Sequence, residues 1–228
     1  MREKLLNLYE YLYAEYGAQN WWPAETPFEV SIGAILVQST AWENVVKAIN
    51  NLKAAHPLTP ERLGEIPQTE LETLIRPSGY YRVKAKKIRA FLEHLRAHHQ
   101  NRLALLFARE TWGLRKELLS VYGIGAETAD SILLYAAEKP IFVVDAYTHR
   151  LFTRLGWVNG KYHYDRLQSI FMSSLPPDVQ FFNEYHALIV RHGKETCRKR
   201  PRCEGCVLRQ HCPYPLDLGI NQHVSNFR

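Results

Sequence analysis

Two short segments of this 228-residue chain carry side chains whose types and spacing suit chemistry. The first reads V-Y-G-I-G-A-E-T-A-D over 121–130 and is followed by V-V-D-A-Y-T-H-R over 143–150. Gly123 and Gly125 separate two helical patterns, and glycine permits positive φ and close backbone approach. The helix that opens after them offers unpaired N–H groups and the positive end of its dipole, which suits a phosphate. A bare G-x-G is more often a plain helix stop, but the T-A-D helix and the segment around Asp145 favour the anion-binding reading. Asp145 taken alone is a good N-cap for A-Y-T-H-R. Taken with the turn, it is a single acid that a backbone-gripping protein could place beside a sugar.

The second segment is Cys197-x5-Cys203-x2-Cys206-x5-Cys212, which contains all four cysteines of the chain. Thiols gathered this closely imply one local metal site and not a distributed disulfide framework. Zinc sites more often show two close C-x-x-C pairs. One close pair with two outlying cysteines is compatible with a 4Fe–4S cluster. Arg198, Lys199, Arg200 and Arg202 lie among these cysteines. Such a basic run is ordinarily solvated surface, but on a loop held by metal it makes a phosphate-binding face.

The elements that must position these residues are helices. Apolar residues recur at helical spacing almost throughout, with no internal repeat and almost no alternating strand pattern. Helices are predicted over 3–16, 28–39, 42–54, 68–76, 82–98, 111–121, 126–137, 144–155, 161–173 and 178–191. Joints fall at prolines and glycines, among them Pro57, Pro60 and Pro176–Pro177. Ile141–Val144 suits a short strand or the buried entry to the next helix, and the second is preferred. The fold class is therefore all-α. A hydrophobic content of 46% and a charged content of 23% fit a globular chain whose core needs no disulfides. The net charge of +6 fits a polyanionic partner. No apolar run approaches the roughly 20 residues that span a bilayer, and the N-terminal segment is a charged amphipathic helix and not a signal peptide. A cytoplasmic, nucleoid-associated monomer with no membrane partner is expected.

Taken together these motifs resemble the helix–hairpin–helix (HhH-GPD) DNA glycosylases of the endonuclease III superfamily. P-F-E-V-S-I-G-A-I-L-V-Q-S-T (27–40) is similar to the family's first core helix and its glutamine, Gln38. S-G-Y-Y-R-V-K-A-K-K-I (78–88) is similar to its middle segment, and A-L-I-V-R-H-G-K-E-T-C (187–197) to its approach to the cluster. The resemblance implies two helical lobes around a DNA-binding cleft. One is a six-helix domain with the hairpin, over 25–136. The other is an iron–sulfur cluster domain joining 1–24 to 137–228, with Asp145 at the junction.

The resemblance also implies roles. Asp145 becomes the catalytic aspartate, stabilising positive charge on the deoxyribose and orienting water. Members that also cleave the strand use a lysine in the second hairpin helix to form a Schiff base. Here that position is Glu127, which cannot form an imine. Trp21, Trp22, Pro23 and Trp42, in the W-W-P and Q-x-T-x-W patterns, resemble the 3-methyladenine DNA glycosylase III branch, whose aromatic residues stack an extruded base. Indole faces favour a cationic alkylated purine, and the base must leave the duplex to be reached. Gln38, Tyr80 and Tyr147 would fill or flank the gap, and Gly123, Gly125 and the basic run around Arg198 would hold the DNA backbone. Cys197, Cys203, Cys206 and Cys212 would hold a 4Fe–4S cluster, although the family's usual first gap is one residue longer. The best-known member of the 3-methyladenine III branch lacks the cluster, so this chain mixes features of two branches.

The expected function is that of a monofunctional DNA glycosylase in base-excision repair. It would act on double-stranded DNA containing alkylated purines, with Asp145 and a water. The alternatives are an endonuclease III-like glycosylase and lyase for oxidised pyrimidines or mismatched bases, and a DNA-binding protein without catalysis.

Overall fold

A computed structural model describes residues 1–21, 24–159, 161 and 163–214. Trp22 and Pro23 of the expected base pocket lie outside the described residues. The helices are α1 (Arg2–Tyr16), α2 (Pro27–Leu36), α3 (Trp42–Ala55), α4 (Pro60–Glu65), α5 (Gln68–Leu74), α6 (Tyr81–His99), α7 (Leu103–Phe107), α8 (Thr111–Ser120), α9 (Ala126–Ser131), α10 (Ala146–Arg154), α11 (Tyr164–Ser174) and α12 (Val179–Glu195). Among the described residues there is no strand, and no helix is long and apolar enough to cross a membrane. The chain divides into two compact units, Met1–Trp21 with Phe142–Arg228, and Trp22–Ile141.

The contiguous unit is organised around α2. Thr26 accepts the Glu29 N–H at 3.1 Å and Pro27 occupies the first turn, so the helix start is set by side-chain capping and a pre-formed φ. Every residue from Phe28 to Leu36 is buried, as befits a helix that is apolar on all sides. Ile88, Phe91 and Leu95 on one face of α6 complete this core with Leu114 and Leu118 of α8. The turn after α9 widens to π geometry over Ile132–Ala136.

Two short helices depart from the prediction. Pro60 is not only a joint: it opens α4 behind Thr59, which accepts the Arg62 N–H. α7 is a five-residue helix too short to leave a periodic signal. Ile141–Val144 is neither helix nor strand and is fully buried, the entry to α10 that the pattern favours.

The other unit joins α1 to α10, α11 and α12. Phe142 stacks on Phe171 at 3.6 Å between ring centres, and Phe152, Phe182 and Tyr185 close the same aromatic core. The Tyr185 hydroxyl donates to the Leu5 carbonyl at 2.7 Å, which fixes α1 on α12.

Candidate active site and cysteine loop

The hairpin is built inside the contiguous unit. α8 ends at Ser120, Val121 and Ile124 anchor the turn in the core, and Gly125 is the extended N-cap of α9. Gly123 takes φ of 83°, and a Cβ there would overlap the Lys87 side chain. Gly125 does not use positive φ: its φ is −91° and a Cβ would meet nothing within 4 Å. Of the two glycines, only Gly123 uses the positive φ that the residue allows. Lys87 packs across that glycine, and at Gly125 the protein itself needs no missing side chain. Arg115 of α8 grips the fully buried Asp130 with a two-point fork, Nε to Oδ1 at 2.7 Å and Nη2 to Oδ2 at 3.2 Å. That pairing ties the two hairpin helices together and accounts for the aspartate of T-A-D.

Gln38 follows α2 and is half-buried. Its amide donates to the Gly123 carbonyl at 3.2 Å and to Thr128 Oγ1 at 2.9 Å, while Lys87 Nζ donates to its carbonyl oxygen. Gln38 thus holds the hairpin turn. Lys84, one turn before Lys87, is buried and donates to the carbonyls of Leu36 and Ser78 at 2.8 and 2.6 Å. Burial lowers its pKa to about 8. Tyr80 is 74% exposed in left-handed backbone at the start of α6. Glu127 sits exposed in the first turn of α9. Trp42 opens α3 and lines a cavity of about 380 Å³ with Glu25, Glu29, Gly33 and Lys53. In that cavity Lys53 Nζ lies 2.9 Å from both Glu25 and Glu29.

In the other unit Asp145 is the N-cap of α10 and is 8% exposed. Its Oδ1 accepts the Thr148 N–H at 2.8 Å and the Thr148 hydroxyl at 2.9 Å. Its Oδ2 lies 3.7 Å from Nε2 of His186, a buried residue of α12. Burial works to raise the Asp145 pKa, but His186 and the Thr148 donors outweigh it and hold the carboxyl below its ordinary range. The capping role and an ionised, charge-bearing role are therefore compatible in one residue. His186 was invisible to sequence reasoning, one of ten histidines with no distinguishing neighbour. Tyr147 packs against Gly193 of α12, where a Cβ would overlap its ring, and Arg150 covers its face at 5.0 Å. Trp21 lies 5.8 Å below Lys194.

The four cysteines converge on one cavity, also lined by Arg154 and His192. Burial and the negative charge of the neighbouring thiolates push Cys206 up to about 11, and Cys203 and Cys212 upward as well. Four soft sulfur donors gathered on one cavity fit a group carrying several positive charges, such as an iron–sulfur cluster. Arg154, which reads in the sequence as one more surface charge, is buried within the loop. It donates to Cys197 Sγ at 3.2 Å, the Arg198 carbonyl at 2.7 Å and the Lys199 carbonyl at 3.1 Å. The side chains of Arg198, Lys199, Arg200 and Arg202 are exposed.

Residues 32–177 match the HhH-GPD superfamily base excision DNA repair proteins, and the chain belongs to that superfamily as a DNA glycosylase. It is 46% identical to the "Putative DNA repair glycosylase MJ1434" of Methanocaldococcus jannaschii over 92% of this chain and 96% of that protein. Its fold is similar to that of endonuclease III in a non-covalent complex with DNA, with a TM-score of 0.83, 22% identity and coverage of 96% and 98% of the two chains. It is also similar to the H. pylori 3-methyladenine DNA glycosylase bound to 1,N6-ethenoadenine. There the TM-score is 0.71, with 28% identity and coverage of 84% and 96%.

Proposed function

We propose that this glycosylase is monofunctional and releases alkylated purines of the 3-methyladenine type from double-stranded DNA. The observation that carries the reading is the pairing of Glu127, where strand-cleaving relatives use lysine, with an Asp145 carboxylate held ionised by His186 and Thr148. In the reaction the bond from C1′ to the purine breaks and its electrons pass to the cationic base, which leaves neutral. Water adds at C1′ and passes a proton through Asp145 to bulk solvent, and the Asp145 carboxylate offsets the positive charge on the sugar and orients that water.

Selection of the base falls to the tryptophans. The cavity beside Trp42 sets two carboxylates against one ammonium, and an excess of negative charge next to an indole favours a cationic heterocycle. The H. pylori relative bound to a modified adenine supports a purine substrate. Gly123, Gly125, Tyr80, Tyr147 and the exposed run of Arg198, Lys199, Arg200 and Arg202 are assigned to the DNA. Gln38 is assigned there as well, on release of its hairpin bonds. Cys197, Cys203, Cys206 and Cys212 are assigned to a 4Fe–4S cluster, whose iron–thiolate bonds would fix the path of this basic loop.

Two measurements test the reading. Borohydride treatment on abasic DNA is expected to give no trapped covalent adduct, and a robust adduct would overturn the monofunctional assignment. A panel of duplexes is expected to release 3-methyladenine and 7-methylguanine. Retention of both with release of an oxidised pyrimidine or a mismatched base would transfer the chain to the other reading.

A further inference from the structure

Away from the hairpin, the end of α6 and the middle of α8 bring together His94, His99 and Glu117, a group that the glycosylase reading leaves without a task. His94 Nε2 lies 2.8 Å and His99 Nε2 2.5 Å from the same Glu117 oxygen, Oε1. All three donor atoms fall within 4.8 Å of one another. His99 is buried and the other two are nearly so. We propose that His94, His99 and Glu117 form a binding site for one divalent transition-metal ion of the zinc class.

Three features support this beyond proximity. Two imidazoles and one carboxylate are a set that zinc and its neighbours accept, with a remaining position left for water. The other Glu117 oxygen lies 2.5 Å from Arg109 Nε, an ion-pair contact that sets a guanidinium behind the carboxylate. Finally, His99 is the last residue of α6 and Gln100 caps it in left-handed backbone, so the negative end of the helix dipole lies beside the ion. In the metal-free protein the imidazole Nε2–H groups donate to Glu117. On loading, each imidazole presents a bare Nε2 with its proton on Nδ1, so the same atoms serve both states. The ion would clamp α8, whose end opens directly into the Gly123 turn.

The test uses full-length protein with its cysteine loop loaded and kept anaerobic, zinc as the probe, and competition against a chromophoric chelator at pH 7.5. One Zn²⁺ per chain is expected, bound about a hundredfold more weakly or more so by H94A/H99A, with base release by that variant unchanged. Zinc bound at the cysteines instead would be retained by H94A/H99A, and equal affinity in the two proteins would overturn the proposal. So would no zinc uptake by the parent protein, which would mark the group as a hydrogen-bonded carboxylate alone. E117Q preserves the volume of the site and carries the same comparison if the double variant does not fold. For E117Q, zinc is expected to raise the melting temperature of the parent protein and to leave that of the variant in place.

Discussion

Asp145→Asn is expected to slow base release by about 10³-fold, within the usual range for loss of a positioned acid–base group, while the melting temperature at neutral pH falls only by the small contribution of the lost charge. The separation of the two effects follows from the geometry. Asn is as good an N-cap as Asp, and its carbonyl oxygen accepts from the Thr148 N–H and hydroxyl as Oδ1 does now. What is lost is the charge facing His186. Single-turnover release from an alkylated duplex, measured beside thermal unfolding, checks both halves. An unchanged rate would reduce Asp145 to a cap. His186→Gln should move the acid limb of the rate profile to higher pH, because burial then acts on Asp145 with less opposition. The stability consequence has a definite sign. A carboxyl held below its unfolded value contributes fully above about pH 4 and loses that contribution as pH falls through the lower folded pKa.

Arg154→Gln is expected to cost about 3 kcal/mol, the upper end for leaving a buried polar group without its partner. It should also yield protein with substoichiometric iron and sulfide. The guanidinium serves one cysteine sulfur and two carbonyls at once, and Tyr214 covers it at 4.5 Å. Its own carbonyl accepts from Cys212 Sγ at 3.4 Å, so the residue touches both ends of the cysteine run. Lysine should not rescue it, since a point charge cannot span three acceptors. Thermal unfolding and elemental analysis of the two variants decide the matter. Parent-like values in both would mean that the loop holds itself.

The parts legible in the sequence were those written in local spacing. The helical period gave the fold class, Gly123 marked the hairpin, and the cysteine intervals marked the loop. Asp145 could be located, but a cap and a catalytic acid share the same local pattern, and the chain now gives it the contacts of the first without excluding the second. Arg154 and His186 escaped for a different reason. Each is defined by partners about forty residues away, and a lone Arg or His carries no local trace of a distant contact. Gln38 belongs to the same group: its type suggested DNA, while its bonds to Gly123 and Thr128 depend on a packing that periodicity does not encode. The short α7 lay below the length at which a helical period can be recognised.

The pairing of α1 with α12 has a consequence for synthesis. Leu5 and Tyr185 are 180 residues apart, so at about 5–20 residues per second the first helix waits roughly 10–40 s for its partner to be translated. Over that interval Leu5, Leu8 and Leu12, all buried in the finished protein, have no native surface to cover them. The Trp22–Ile141 unit meets no such delay, because its chain is continuous and emerges in one piece. The hairpin unit can therefore close before α12 has been made, and α1 is the segment left longest without its partner.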